Sequence, residues 1–542
     1  VHSIAVPTKM TSPDTFVAIL ATVITLVMLV LLRRRRATCK QRPRLPPGPA
    51  TLPFIGNMHQ MVWNKPSVSR WINVLLGRMG TDIVCLRLGS VHVVAVASPE
   101  MAREVLRVNE AVFMSRPSTF ASNIFSYGYK AASLTISEQQ WRKMRRVVTS
   151  EILSPALDRR LLAHRVEEAD HLIKYVFDQM STSGDGGSIN IRHVGQHFCG
   201  NLIRRLVFRK RNFGGEAPEM AVDGPGDDEV EHVNALFTLV NYVYSFCVSD
   251  YFPALVGLDL DGHEKVAKGV ARTFDRLHDP VIEDRMREWA NRREAGERRE
   301  VADFLDVLVS LEDAAGQPLL TFEEIKAQIV EMMFATVDSP SNAAEWALAE
   351  MLNKPDVMGK AMDELDTVVG RERLVQESDI CKLNYLKSCI REAFRIHPFH
   401  AFTAPRVAME DTTIGGYMVP KGSHVILSRI GLGRKPMVWP EPLEFRPERH
   451  LVGDDGNGMV VLGEPDLRFV SFSTGRRGCP AVPLGSSVTM MLFARLLQGF
   501  TWTKPLGVDK ITLHESRTSL SLAQPLVLRA QPCLASHVYA AS

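Results

Sequence analysis

One short stretch near the C-terminal end constrains the whole chain: Phe472 to Ala481, F-S-T-G-R-R-G-C-P-A. It sets Cys479 in a glycine-containing loop behind Arg476 and Arg477. The apolar run Val488 to Phe500 beyond it predicts a helix. Gly475 and Gly478 let the backbone approach a flat cofactor closely. Backbone N–H groups and the two arginines are expected to hold the sulfur anionic by lowering its pKa. The following helix would turn its positive N-terminal end toward the same anion. A buried structural thiol is the ordinary reading of a lone cysteine, but the spacing F-x-x-G-x-R-x-C argues for a ligand.

The length is 542 residues, yet no internal repeat or long low-complexity linker divides the chain. Hydrophobic residues at 45% and charged residues at 23% give an ordinary globular balance. That predicts one large catalytic domain over residues 50–542. A net charge of +3 favours no nucleic-acid partner. The eight cysteines are scattered without a C-x-x-C pair, which argues against a disulfide framework or zinc site and suits a reducing compartment.

Thr15 to Leu32 is an uncharged apolar run, and as a helix it would span about 27 Å, close to a bilayer core. Arg33 to Arg36 follow it, the reverse of a cleaved signal peptide. The order predicts a retained transmembrane anchor over 15–32, with a short luminal segment 1–14 and a cytosolic catalytic body. The chain starts at Val1, and Met10 is a candidate initiator. Residues 33–49 read as a basic and proline-rich hinge, because Pro43 to Pro49 fixes an extended path.

Asp82 to Ala97 is rich in β-branched residues around Gly89-Ser90 and predicts a hairpin. Helical patterns dominate afterwards. Trp141 and Arg145 lie four apart, on one helix face, where both can donate to one carboxylate. Ser181 to Ser188 and Gly214 to Asp228 read as exposed loops, and Arg285 to Glu300 as a solvated helical face. Thr321 and Glu324 form a capping box opening a helix to Glu350. Inside that helix Pro340 cannot donate to the carbonyl of Thr336, so the ladder should open beside Asp338 and Ser339. Glu392 and Arg395, three apart, and Arg449 complete the motifs.

In this order the motifs resemble those of the cytochrome P450 monooxygenases, from about Pro46 to the C-terminal region. The resemblance implies a mainly α fold with a smaller β portion, preceded by one transmembrane helix. It implies haem b (iron protoporphyrin) with Cys479 as axial iron ligand, in a loop bearing Phe472 and Gly475. A lone thiolate is the ligation that favours O–O cleavage. Trp141, Arg145, Arg406 and Arg477 would bind the haem propionates, and Asp338 and Ser339 would relay protons. Glu392, Arg395 and Arg449 would form a buried structural lock.

A closer resemblance, carried by Phe334 to Asp338, Pro340 to Trp346 and Ser471 to Cys479, is to the plant amino acid N-monooxygenases. It implies conversion of an L-amino acid to an aldoxime by two N-hydroxylations, with electrons from NADPH through NADPH–cytochrome P450 reductase at the endoplasmic reticulum membrane. Ser339 departs from the asparagine usual in that branch, Pro480 is less usual after the cysteine, and Arg406 stands where histidine is common. The substrate pocket is expected around Phe120, Phe125, His400 and Thr403. Two other readings fit the same motifs: carbon hydroxylation of an apolar plant metabolite, and a catalytically silent membrane scaffold.

Overall fold

The β-branched run folds as expected. In the computed structural model Ile83–Leu88 (β1) and Val91–Val96 (β2) pair antiparallel, with Leu88 opposite Val91. The structure describes residues 44–65, 67–182, 187–211, 213, 226–297, 300–453 and 458–540. The expected anchor over 15–32 and most of the hinge lie outside them. Among the described residues no helix is long and apolar enough to cross a membrane.

In chain order the further strands are Ser188–Asn190 (β3), Arg406–Val407 (β4), Thr412–Ile414 (β5), Tyr417–Val419 (β6), His424–Leu427 (β7), Phe500–Thr503 (β8) and Val527–Pro532 (β9). The largest sheet runs β1-β2-β7-β4, with β2 and β7 parallel and β4 antiparallel to β7. A second sheet runs β3-β9-β8, and β5 and β6 form a two-stranded ribbon. The proline-rich stretch docks on these sheets. The carbonyl of Pro47 accepts from the N–H of Cys85 at 2.8 Å, and that of Arg44 from Met418 at 3.0 Å. A Cβ on Gly48 would meet the Cys85 oxygen at 2.0 Å, so only glycine permits this approach.

Helices carry the rest: Glu138–Arg146 (α1), Leu162–Thr182 (α2), Ile191–Phe208 (α3), Asp227–Tyr242 (α4), His263–Glu294 (α5), Phe322–Leu352 (α6), Asn384–Ile396 (α7), Arg429–Gly433 (α8) and Val482–Gly499 (α9). The fold is mainly α with a smaller β portion, as the sequence predicts. Helix α6 is its axis and packs against α3, α9, α4 and α7. Both halves of its capping box form: the N–H of Glu324 donates to Thr321 Oγ1 at 3.3 Å, and the N–H of Thr321 to Glu324 Oε2 at 2.9 Å. Every residue from Pro340 to Met351 is buried. Trp346 is stacked on His397 with centroids 3.7 Å apart and donates to the Leu520 carbonyl at 3.0 Å. Truncating it to alanine would cost roughly 3–5 kcal/mol.

Three sequence expectations shift here. Helix α6 runs unbroken through Pro340, with the Thr336 hydroxyl donating to the Met332 carbonyl at 2.9 Å and the Ser341 hydroxyl to Val337 at 2.9 Å. Packing on several sides holds the helix together despite the missing N–H. The tract at Arg285 is only partly solvated, because Arg285 Nη1 meets Asp303 and Asp306 at 2.8 and 2.5 Å under Trp289. The anticipated loops narrow: Thr182 ends α2, Ser188 opens β3 and Asp227 opens α4, while 183–186 and 214–225 lie outside the described residues.

Candidate active site: a thiol loop facing an interior cavity

The loop before α9 is held by its own backbone. The N–H of Cys479 donates to the Phe472 carbonyl at 2.9 Å, and that of Gly478 to Gly475 at 2.9 Å. Gly475 has φ +73°, and a Cβ there would sit 2.3 Å from the Leu106 oxygen. Helix α9 starts at Val482, six residues earlier than its apolar run suggests, with Pro483 in its first turn.

Cys479 retains open surface although its thiol lies in desolvating surroundings. Ala335, in the middle of α6, and Ala404, before β4, are also open, although Met333 and Val337 near the first and Thr403 and Arg406 near the second are buried. Residues open in this way inside the fold wall an internal cavity. Burial pushes the Cys479 thiol up, against the N–H of Ala481 and the charges of Arg145 and Arg429. This corrects the expected lowering by Arg476 and Arg477. Arg476 is instead turned to Glu110 at 3.4 Å, and Arg477 to backbone carbonyls. An anionic sulfur therefore calls for a bound cation such as iron.

Beside the loop four guanidiniums converge. Arg477 donates to the carbonyls of Met114, Ala132 and Thr135 at 2.9, 3.1 and 3.1 Å, and lies 5.1 Å from the Trp141 ring centroid. Arg145, one turn beyond Trp141 on α1, donates to the Gly478 carbonyl at 2.7 Å. Arg116 holds the carbonyls of Ala404 and Pro405 at 3.0 and 2.9 Å. Arg406 is buried with one long bond, 3.4 Å, to Phe113. Burial, then Arg116 and Arg477, bring Arg406 down to about 9; burial, then Arg116, do the same to Arg477. A desolvated, mutually repelling set of this kind fits a ligand with two carboxylates, which is what a haem presents. Arg145 turns to Gly478 and Trp141 lies against Arg477, so both sit at the edge of this cluster.

Across the cavity Asp338 Oδ2 lies 3.9 Å from His400 Nε2. Burial pushes Asp338 up to about 7 and His400 down to about 3, Arg429 adding to the latter. Desolvation thus outweighs their attraction, and near neutral pH His400 is uncharged. Ser339 is half-buried beside Asp338. Of the expected pocket residues only His400 joins this group. Phe125 is 1% exposed and belongs to the core, because its helix turns that face inward. Phe120 packs beneath the Lys268 ammonium at 5.3 Å. Thr403 is buried and its hydroxyl accepts from the N–H of Leu427 at 3.4 Å, bracing the sheet.

Behind the thiol loop Glu392 is fully buried. It meets Arg395 at 2.7 Å, Arg449 at 2.9 Å and His450 at 2.7 Å. Burial raises its carboxyl, but the bonds and charges of Arg395 and His450 prevail and hold it at about 2. Sequence reasoning anticipated the arginines and missed His450, although it directly follows Arg449. It also missed Arg116 and Arg429. The signal for Arg429 was a lone cation inside the apolar run His424 to Leu432.

The sequence profile of the cytochrome P450 family matches residues 46–528. The chain belongs to the cytochrome P450 family. Cytochrome P450 proteins bind haem, and this loop, cavity and arginine cluster are suited to one. The chain is 57% identical to tyrosine N-monooxygenase of Sorghum bicolor over 498 residues, covering 92% of this chain and 88% of the relative. It is 48% identical to tryptophan N-monooxygenase 1 of Arabidopsis thaliana over 517 residues, covering 95% and 93%. With valine N-monooxygenase 2 of Manihot esculenta the identity is 48% over 522 residues, covering 96% and 94%.

Proposed function

We infer that this cytochrome P450 is an amino acid N-monooxygenase that turns an L-amino acid into its aldoxime. The observation that carries the reading is nearly full-length identity of 48–57% to enzymes named for N-oxygenation of amino acids. Two molecules of oxygen and four electrons are consumed, and carbon dioxide and three waters leave with the oxime. Electrons come from NADPH through NADPH–cytochrome P450 reductase. The run Thr15 to Leu32 anchors the chain in the endoplasmic reticulum membrane with the catalytic body in the cytosol.

Haem, when bound, supplies oxygen activation. The chain's own residues do the rest. Cys479 would offer the sulfur ligand, and Arg116, Arg145, Arg406 and Arg477 would neutralise the propionates. Asp338, poised near pH 7, can hold or release a proton at its carboxyl on the cavity wall, with Ser339 beside it. Glu392, Arg395, Arg449 and His450 fix the frame behind the loop. The test incubates the membrane-bound chain with reductase, NADPH and each of the twenty amino acids and looks for oxime by mass spectrometry. Oxime from none of them refutes the reading.

A further inference from the structure

Arg429 is a second positive centre, set apart from the propionate cluster. It is the first residue of α8, and its N–H donates to the Ala401 carbonyl at 2.8 Å, tying it to the loop that carries His400. The side chain is 8% exposed, and its Nε and Nη1 find no hydrogen-bond partner. Among the described residues no carboxylate forms an ion pair with it. Its guanidinium lies 4.1 Å from the Phe399 ring centroid, and the Phe399 and His400 rings are 4.9 Å apart. Burial lowers Arg429 to about 10, opposed by Cys479, whereas Arg406 feels Arg116 and Arg477. A desolvated guanidinium with idle donors is costly to bury unless an anion arrives to meet it.

We propose that Arg429 anchors the substrate's carboxylate, and that the line Arg429–His400–Asp338 reads the charged head of an α-amino acid. This rests on the N-monooxygenase reading and extends it to a residue. Stacking on Phe399 fixes the guanidinium plane and leaves its edge donors for a forked, two-point contact with a carboxylate. The amino group then points toward Asp338, whose Oδ2 lies 3.9 Å from His400 on the α6 side of the cavity. Ionised Asp338 accepts a proton from the ammonium, leaving a neutral amine to be oxygenated and a neutral carboxyl. Neutral His400 sits between the two charged ends and spaces them. The assignment explains why a cation stands in an apolar run near the thiol, where none of the described carboxylates pairs with it.

The test titrates the full-length, haem-loaded enzyme in detergent and follows the haem absorption band as ligand binds. The probes are L-tyrosine, L-phenylalanine, L-tryptophan and L-valine, each beside the amine that lacks the carboxylate. In R429Q the dissociation constants for the responding amino acids should rise about 30-fold or more, while those for the amines change less than about 3-fold, as expected for losing a charged hydrogen-bond pair. R429K should fall between, roughly 5- to 10-fold weaker, because an ammonium cannot make the forked contact. It also keeps the comparison available should R429Q fold poorly. Haem content, measured as the pyridine complex, should match the wild type in both variants. Equal weakening of amino acids and amines, unchanged amino acid binding, or haem loss from folded R429Q overturns the anchor and leaves the N-monooxygenase reading standing. A wild-type enzyme that no amino acid perturbs overturns both.

Discussion

Replacing Glu392 by glutamine isolates the charge that the frame behind the haem loop depends on. The carboxylate is fully buried and receives Arg395 through both oxygens at 2.7 and 2.8 Å, His450 at 2.7 Å and Arg449 at 2.9 Å. Its pKa stands at about 2, against 4.5 for an ordinary glutamate. A folded value below the unfolded one adds stability that is complete above pH 4.5 and vanishes as pH falls toward 2. The gap amounts to about 3 kcal/mol at neutral pH, similar to the roughly 3–5 kcal/mol for unpairing one member of a buried ion pair. Glu392→Gln should therefore lose about 3 kcal/mol by urea unfolding of the detergent-solubilised chain at pH 7. The difference from wild type should shrink as pH is lowered from 4.5, because the wild-type chain loses the same stabilisation. His450 is held down to about 4 by burial, so at pH 7 it meets Glu392 as a neutral donor and His450→Ala should cost less than Glu392→Gln. A deficit below about 1 kcal/mol, or one that does not change with pH, would refute the charge argument.

Three further outcomes follow from the same geometry. Arg406→Leu removes a guanidinium with one long bond and two cationic neighbours; the apoprotein should keep its stability, while haem transfer to apomyoglobin speeds up roughly 10- to 100-fold. Gly475→Ala forces a side chain onto φ +73° and a Cβ to 2.3 Å from the Leu106 oxygen, so it should cost more than about 2 kcal/mol and lower haem retention at unchanged expression. Asp338→Asn should slow oxime formation about 100-fold while NADPH is still consumed. Wild-type turnover should decline as pH falls below about 7, where Asp338 takes up a proton and cannot accept one from the substrate ammonium, and this limb should be missing in the variant.

The parts of this fold legible in the sequence are those set by neighbours in the chain. The Thr321–Glu324 capping box and the hairpin around Gly89 each depend on residues a few positions apart, and each forms with the anticipated partners. Spacing also exposed Glu392 and Arg395, because three residues on a helix bring two side chains together. It could not show which way a face turns. Phe120 and Phe125 occupy one short helix, yet one lies under a lysine and the other fills the core. Pro340 misled in the opposite sense, since its local effect on the ladder is overridden by the packing of α6 on its neighbours.

The charges of the site were the hardest to read, for a physical reason. A cation's identity is written locally, but its cost depends on how much water the whole fold removes from it. Arg406, Arg429 and Arg477 come from separated segments and become unusual only once the fold buries them: burial and repulsion from other arginines lower Arg406 and Arg477, and burial alone lowers Arg429. The excess sorts by neighbourhood. The group around Arg406 and Arg477 is matched by a ligand with two carboxylates, whereas Arg429, stacked on Phe399 and close to Cys479, is left for a different anion. Two positive centres on one cavity therefore argue for two anionic ligands, one resident and one that comes and goes with each turnover.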